Sequence, residues 1–187
     1  MTDWVILGIT TLDRWSNFRN KYTMKETTNK SFSGKNYIFA IALSIFVLLV
    51  DFYTKYIVRN DARYIEGVTV IPNFLKLIYV KNEGAAFSML SGYRLALILI
   101  SSIAILLGIY AITRLYRNNK IIFLAVSMVI AGGLGNLIDR IYFGFVTDMI
   151  SFSFFSPVFN VADMSVTLGC IILIIYIAIF DSSKEKS

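Results

Sequence analysis

Four runs of about twenty mostly apolar residues recur along the chain, at about 37–58, 93–113, 121–141 and 160–180. A helix of about 20 such residues is long enough to cross the hydrocarbon core of a bilayer. Because backbone N–H and C=O groups in lipid must be paired within the segment, each run can cross only as a helix. The sequence therefore predicts an all-α membrane protein with four transmembrane helices.

The composition limits the chemistry that this chain can perform. Hydrophobic residues make up 57% of the 187 residues and charged residues 16%, against about one half and one quarter in soluble domains. The net charge is +6, but no basic patch is interleaved with aromatic residues, so we expect no nucleic-acid partner. There is no histidine and one cysteine. Catalysis must therefore come from carboxylates, hydroxyls, amines or a bound ion, and we expect no metal ligand set and no cofactor.

The short connection 114–120 decides the predicted orientation. It has three basic residues in seven, and short basic loops face the cytoplasm. With four spans, both termini are then cytoplasmic, in agreement with the basic leader 1–36 and the tail 183–187. The segments 59–92 and 142–157 face outward.

The leader 1–36 is polar and basic. Its apolar piece is too short to span a bilayer, and no small-residue cleavage motif follows it. The leader is either an unstructured tail or a weak surface helix. Met24 offers a second plausible start, and we predict that residues 1–23 are dispensable.

The outward segment 59–92 is too polar to span. Residues 68–71 and 74–80 have the composition of short strands, and Pro72-Asn73 between them is a turn signal. Small residues follow at 84–86. We expect a small extramembrane sheet followed by a short helix lying on the membrane surface.

Charged residues at the ends of the spans require an explanation, because a charge inside a membrane helix is costly and marks a functional site by default. Asp51 and Lys55 lie four residues apart in the first span, so they share a helix face and can pair. Either the pair extends to the membrane interface, or it shapes a site at the outer edge.

The third span carries a second polar group. Asn136, Asp139 and Arg140 follow the small-residue run 131–135 and share one helix face. Small residues allow close helix approach, and the arginine fork is suited to holding carboxylates or peptide carbonyls. The alternative is a purely structural network.

Two further aspartates flank the outward connection between the third and fourth spans. Asp148 lies just beyond the third span, and Asp163 lies three residues after Asn160 at the start of the fourth. Asn160 and Asp163 form a capping-box pattern, which accounts for Asp163 without catalysis. If the connection folds back, however, the two carboxylates meet and share one proton. Such a pair can activate water and protonate a leaving amine, which suits peptide hydrolysis.

These residues fall into five blocks that occur in the order of a known family. The blocks are Asp51-x-x-x-Lys55, Asn82-x-Gly84-Ala85-Ala86-Phe87, Gly135-Asn136-x-x-Asp139-Arg140, Val146-Thr-Asp148 and Phe159-Asn160-Val-Ala162-Asp163. Together they resemble the bacterial lipoprotein signal peptidases, or signal peptidase II. The resemblance covers about residues 36–182.

The resemblance implies an aspartic endopeptidase that cleaves the signal peptide of a prolipoprotein just before a diacylglyceryl-modified cysteine. It implies a catalytic pair, Asp148 and Asp163. The residues implied to line the peptide site are Asn82, Gly84, Asn136, Arg140, Asn160 and Ala162. Those implied to support it are Asp51, Lys55 and Asp139.

The resemblance also implies four transmembrane helices, an outward-facing β-cradle from 59–92 and a short membrane-surface helix, in a multi-pass protein of the bacterial cytoplasmic (inner) membrane. Its active site would lie near the outer face. The implied partners are lipid-modified prolipoprotein signal peptides, membrane lipids and inhibitory cyclic peptides of the globomycin type. We expect the unit to be a monomer.

Three rival functions stay open at this point. A transporter or channel could use the aspartates as an ion relay, although every acid lies at the end of a run and not at mid-membrane depth. A presenilin-type or prepilin-type protease would carry Gly-x-Gly-Asp, whereas Phe145-Val-Thr precedes Asp148. The third rival is a non-catalytic assembly protein.

Overall fold

The computed structural model of the chain describes residues 34–84, 90–116 and 119–182, with side chains from 37 to 179. Within these residues, four helices are long and apolar enough to cross a membrane. The helices, numbered in chain order, are α1 (Gly34–Asn60), α2 (Arg63–Glu66), α3 (Arg94–Tyr110), α4 (Lys120–Tyr142) and α5 (Val161–Ser182). The predicted class, a four-span helical membrane protein with a small β portion, is confirmed.

Local signals set the ends of the spans. Asn119 caps α4 by accepting hydrogen bonds from the backbone N–H groups of Ile121 and Ile122, at 3.2 and 3.1 Å. After α4, Gly144 has a φ of +86°, a left-handed conformation that favours glycine and turns the chain away from the helix. The second span continues beyond α3 as a π-helical turn, Ala111–Leu115.

Helix α4 is the central span of the bundle. Half of its most apolar stretch is buried, against 11 to 17% for the other three spans. Its small residues allow this packing: a Cβ on Gly132 would overlap the carbonyl oxygen of Ala162 in α5. Conversely, a Cβ on Gly169 of α5 would lie 2.6 Å from the carbonyl oxygen of Ala125. The close helix approach predicted from the run 131–135 is therefore present.

Four antiparallel strands form one sheet beside the bundle, in the order β1-β2-β3-β4. They are β1 (Val68–Ile71), β2 (Leu75–Asn82), β3 (Val146–Phe152) and β4 (Phe155–Phe159). The first two agree closely with the strands predicted at 68–71 and 74–80. The register of β2 against β3 pairs Asn82 with Val146 and Val80 with Asp148, which brings the end of β2 next to Asp148.

The expectation that 59–92 alone supplies the cradle was incomplete, because half of the sheet comes from 146–159. The sequence analysis treated that segment as a connection. The first four residues of β3 are all buried, so it lacks the alternation of apolar and polar residues that identifies a half-exposed strand.

Two expectations lie wholly or partly outside the described residues. The leader up to residue 33 and the tail from 183 are not described, and the predicted membrane-surface helix falls on a segment of which 85–89 are not described. A short helix that was not predicted, α2, precedes the sheet. The N–H of Arg63 donates to the carboxylate of Asp61 at its start, at 3.0 Å.

Candidate active site

A cluster of buried polar side chains lies where the helix bundle meets the sheet. Five of its members have no exposed surface: Asp51, Lys55, Asp139, Thr147 and Asn160. Buried charged groups are stable only when paired and hydrogen-bonded. Each of these charged side chains therefore needs partners within the cluster.

Asn160 joins the two aspartates that the sequence singled out. Its side-chain Nδ2 donates to Asp148 Oδ1 at 2.7 Å, and its backbone N–H donates to Asp163 Oδ2 at 3.2 Å. Its Oδ1 accepts from the backbone N–H of Asp163 at 2.8 Å. The fold thus brings Asp148 and Asp163, fifteen positions apart, to the same residue, where one carboxylate accepts from the side chain and the other from the backbone.

The predicted capping box at the start of α5 is confirmed by these bonds between Asn160 and Asp163. The second carboxylate oxygen of Asp163, Oδ1, accepts from Asn136 Nδ2 at 2.7 Å. Asn160 Nδ2 also donates to Asn136 Oδ1, at 3.1 Å. Asp163 is consequently both a helix cap and a member of the buried cluster.

Lys55 orients the amide of Asn136. Its Nζ donates to Asn136 Oδ1 at 3.0 Å, and it pairs with Asp51 at 2.7 Å and Asp139 at 3.4 Å. Because Oδ1 accepts from an ammonium group, the donor Nδ2 must face Asp163. The predicted pair of Asp51 and Lys55 exists, but the alternative that it extends to the membrane interface is wrong, since both side chains are fully buried.

Asp51 fixes the start of α5. Its Oδ1 accepts from the backbone N–H of Ala162 at 2.9 Å. Ala162 has no exposed surface. A Cβ at Gly135 would lie 2.6 Å from Asp51 Oδ2 and 3.2 Å from the Cβ of Ala162. Glycine at 135 therefore leaves the space that the carboxylate of Asp51 occupies.

A second set of bonds connects α4 to the end of β2. Arg140 Nη2 donates to the carbonyl of Gly84 at 2.8 Å. The N–H of Gly84 donates to Asn82 Oδ1 at 3.0 Å. The other end of the same amide, Asn82 Nδ2, donates to Asp148 Oδ2 at 2.9 Å. Arg94 holds the backbone on the other side, because its Nε donates to the carbonyl of Arg140 at 2.8 Å. Nε of Arg140 has no hydrogen-bond partner among the residues that the structure describes.

Two members of the cluster, Arg59 and Thr147, were missed by the sequence analysis. Arg59 Nη1 donates to Asp139 Oδ1 and to Thr147 Oγ1, both at 3.0 Å. A signal for Arg59 existed, because it lies four residues after Lys55 and eight after Asp51, on the same helix face. Thr147 had no comparable signal, since its contacts depend on the register of β3.

Asp148 has a perturbed pKa. The residue lies in β3, outside the spans, and only 2% of its surface is exposed. Burial first, and the charge of Asp163 second, raise the pKa of its carboxyl to about 6 from the ordinary 3.8, against the hydrogen bonds from Asn82 and Asn160. A buried carboxyl with a raised pKa beside a second carboxyl is typical of acid–base sites.

The fold and the cluster define a multi-pass membrane protein with an acidic pair at one end of its bundle, and two solved bacterial membrane enzymes share this architecture. One, described as a bacterial membrane enzyme structure by the in meso method at 2.3 Å resolution, matches with a TM-score of 0.73 and 34% identity, over 79% of this chain and 91% of that chain. The other, at 1.9 Å resolution, has a TM-score of 0.68 and 35% identity, over 74% and 91%.

The sequence comparisons identify the family. The model of the family described as signal peptidase (SPase) II matches residues 43–179. The "Lipoprotein signal peptidase" of Caldanaerobacter subterraneus subsp. tengcongensis is 40% identical over 134 residues, 72% of this chain and 92% of that protein. The protein of the same name from Staphylococcus aureus is 37% identical over 150 residues, 79% and 91%. The chain belongs to the signal peptidase II family, as the motif blocks indicated, and is a membrane-embedded peptidase.

Proposed function

We propose that this protein is an aspartic endopeptidase of the bacterial cytoplasmic membrane that removes signal peptides from diacylglyceryl-modified prolipoproteins, just before the lipidated cysteine. The observation that carries the proposal is the convergence of Asp148 and Asp163 on Asn160, whose side chain donates to the first and whose backbone N–H donates to the second. The substrate class is suggested by the name that the similar proteins carry.

The charges of the cluster support an acidic pair that holds one proton. The other ionisable groups of the cluster are two acids and three bases: Asp51, Asp139, Lys55, Arg59 and Arg140. Their formal sum is +1. If the pair of Asp148 and Asp163 carries one proton, its charge is −1 and the whole cluster is neutral. A neutral set of buried charges avoids the cost of an uncompensated charge in a low-dielectric site.

In the proposed reaction the pair acts on one water molecule. The ionised carboxylate takes a proton from the water, whose oxygen attacks the carbonyl carbon of the scissile peptide bond, and the protonated carboxyl gives its proton to the carbonyl oxygen. Transfer of a proton to the amide nitrogen then lets the C–N bond break, which releases an acid and an amine. No covalent intermediate is needed.

The neighbouring groups hold the pair and the substrate. Asn136 and Asn160 each donate to a carboxylate of the pair, so both carboxylates are held in place before the substrate arrives. Arg140 Nε, which has no partner among the described residues, is a donor that can bind a peptide carbonyl. In this proposal Asn82 and Gly84 form the wall at the end of β2, and Asp51, Lys55 and Asp139 support the site from behind.

Membrane lipids are part of the proposed environment. The rings of Phe74, Phe152 and Phe154 lie 5.6 to 5.7 Å apart at the tips of the two hairpins. Phe154 is 72% exposed. Such an exposed aromatic tip suits contact with lipid at the membrane interface. The substrate, an apolar helix, would reach the site laterally through the bilayer.

The test is cleavage of a diacylglyceryl-modified prolipoprotein by Asp148→Asn and Asp163→Asn in reconstituted vesicles. Each substitution is expected to lower the rate by about a thousandfold or more, because the one carboxyl group that remains cannot complete both proton transfers. Asp61→Asn is the matched control, since Asp61 contacts Arg63 outside the cluster, and it should keep wild-type activity.

Two further arms make the outcome decisive. A globomycin-type peptide should stop cleavage by the wild type, and the unlipidated precursor should be cleaved far more slowly than the lipidated one. Because burial raises the pKa of Asp148, Asp148→Asn should be at least as thermally stable as the wild type at pH 8. Full cleavage by either asparagine variant would end the proposal.

A further inference from the structure

Arg59 reaches the strand that carries Asp148, although it belongs to none of the five sequence blocks. It lies in the last turn of α1, and its side chain is 15% exposed. Its guanidinium stacks over the ring of Phe143, 4.2 Å from the centroid. That contact holds the plane of the group while Nη1 makes both of its hydrogen bonds.

Arg59, Asp139 and Thr147 form a closed triangle of hydrogen bonds. Arg59 Nη1 donates to Asp139 Oδ1 and to Thr147 Oγ1, and the backbone N–H of Thr147 donates to Asp139 Oδ2 at 3.0 Å. Thr147 is therefore held by its main chain and by its side chain at once. Thr147 itself has no exposed surface, so water cannot easily replace its partners if either bond is lost.

Thr147 directly precedes Asp148 in β3, and neighbouring side chains in a strand point to opposite faces. The triangle consequently holds β3 from one face, while Asn82 and Asn160 donate hydrogen bonds to the carboxylate of Asp148 on the other face. A movement of Thr147 must be passed on to Asp148, because consecutive Cα atoms are linked at a fixed distance of about 3.8 Å.

We infer that Arg59 is a positioning residue for the reaction, which acts through Thr147 to fix Asp148 in the geometry needed for proton transfer. This inference rests on the proposed function, in which Asp148 is catalytic. Arg59 itself does not touch the substrate. Its loss should therefore lower kcat and leave KM nearly unchanged.

The test compares Arg59→Met with the wild type on the lipidated precursor. The methionine keeps an unbranched apolar side chain and removes Nη1, the donor of both hydrogen bonds. We expect kcat to fall by about tenfold to a hundredfold, the range that a small misplacement of a catalytic group produces, with KM within about twofold. Arg63→Met is the matched control: Arg63 lies near the same end of the first span, pairs with Asp61 and is largely exposed, so both constants should stay at wild-type values.

Three more variants separate positioning from folding. Thr147→Val removes the acceptor hydroxyl but keeps the backbone bond to Asp139, and it should lower kcat in the same way. In that background, Arg59→Met should lower kcat much less than it does alone, because the hydrogen bond through which Arg59 acts on Thr147 is already missing. Arg59→Lys keeps a cationic donor and should lose less kcat than Arg59→Met.

Several results would overturn the inference. A raised KM with wild-type kcat would make Arg59 a substrate contact. Fully additive losses in the double variant, or wild-type kcat in Thr147→Val, would show that Arg59 does not act through the threonine. Asp148→Asn is assayed in parallel: if it is inactive while Arg59→Met has wild-type kcat, only the positioning role fails, whereas an active Asp148→Asn removes the proposed function itself.

Discussion

Asn160 connects the first turn of α5 to the strand that carries Asp148, through the bonds of its side chain to both aspartates. Its position three residues before Asp163 predicted a helix cap, and the cap is present. Its bond to Asp148 could not be predicted, because it depends on how β3 returns to the bundle. A capping pattern is local in the sequence, whereas a bond between residues twelve positions apart depends on sheet register.

The pH dependence of cleavage follows from the pKa of Asp148. In the proposed mechanism the active form holds one proton on the pair. Since burial and the charge of Asp163 raise the pKa of Asp148 to about 6, the active form is lost as pH rises through that value. We expect kcat/KM to fall above about pH 6, by about tenfold per pH unit. The pH profile of kcat/KM is measured at substrate concentrations well below KM, so that it reports the pKa values of the free enzyme.

Asn82→Ala should move this limb to higher pH. The amide of Asn82 donates to Asp148 and favours its ionised form, so its removal raises the pKa of Asp148 further. Asn60→Ala is the matched control, because the amide of Asn60 is exposed and donates only to the carbonyl of Tyr56 among the bonds described. A limb that stays in place in Asn82→Ala, or moves down, would contradict this assignment.

The same raised pKa affects stability in the opposite sense from an ordinary salt-bridged aspartate. Between about pH 4 and pH 6 the folded protein binds the proton of Asp148 more tightly than the unfolded chain does. The contribution of Asp148 to the free energy of unfolding therefore falls as pH rises through that window. The residue is kept at a cost in stability, which is common at functional sites.

At the scale of the elements, the four spanning helices were predictable, whereas the short helix α2 and half of the sheet were not. The four spans are defined by length and apolar composition, which are properties of the sequence alone. Strands β1 and β2 were found from residues 68–71 and 74–80 and the turn between them. Strands β3 and β4 were not, because the start of β3 is buried on both faces and its sequence shows no alternation.

Gly135→Ala tests whether the packing of α4 holds the site together. The added Cβ would lie 2.6 Å from Asp51 Oδ2, so the carboxylate must leave its bond to the N–H of Ala162 or part from Lys55. We expect a loss of about 1–3 kcal/mol in the free energy of unfolding, together with a loss of most activity. Thermal denaturation in detergent and the cleavage assay measure the two effects.

Gly133→Ala, two residues earlier, is the control for this prediction. A Cβ there would meet only the side chain of Ile105, at 3.3 Å, and a flexible side chain can move aside. The Gly133 variant should therefore keep both stability and activity near wild type. Equal effects of the two alanines would mean that crowding of the helix, and not the contact with Asp51, explains the loss.

At the scale of the whole molecule, the cluster draws on five elements: α1, β2, β3, α4 and α5. Each contributes one short block, and the blocks lie up to 112 positions apart, from Asp51 to Asp163. The sequence revealed which residues belong together only through their resemblance to a family. Arg59 was missed although it shares a helix face with Asp51 and Lys55, because no block contains it and its partners Asp139 and Thr147 are brought to it by folding.

The last prediction concerns the leader. Every residue of the cluster lies between 51 and 163, and the family match begins at residue 43. Matches of 134 and 150 residues of this chain cover 92% and 91% of two similar peptidases. A protein that starts at Met24 should therefore insert and cleave the lipidated precursor with kcat/KM within about twofold of the full chain, a difference of less than about 0.5 kcal/mol in the barrier. Activity is normalised to correctly inserted protein. A loss of more than about tenfold after that normalisation would assign residues 1–23 a part in catalysis, for which the described residues provide no site.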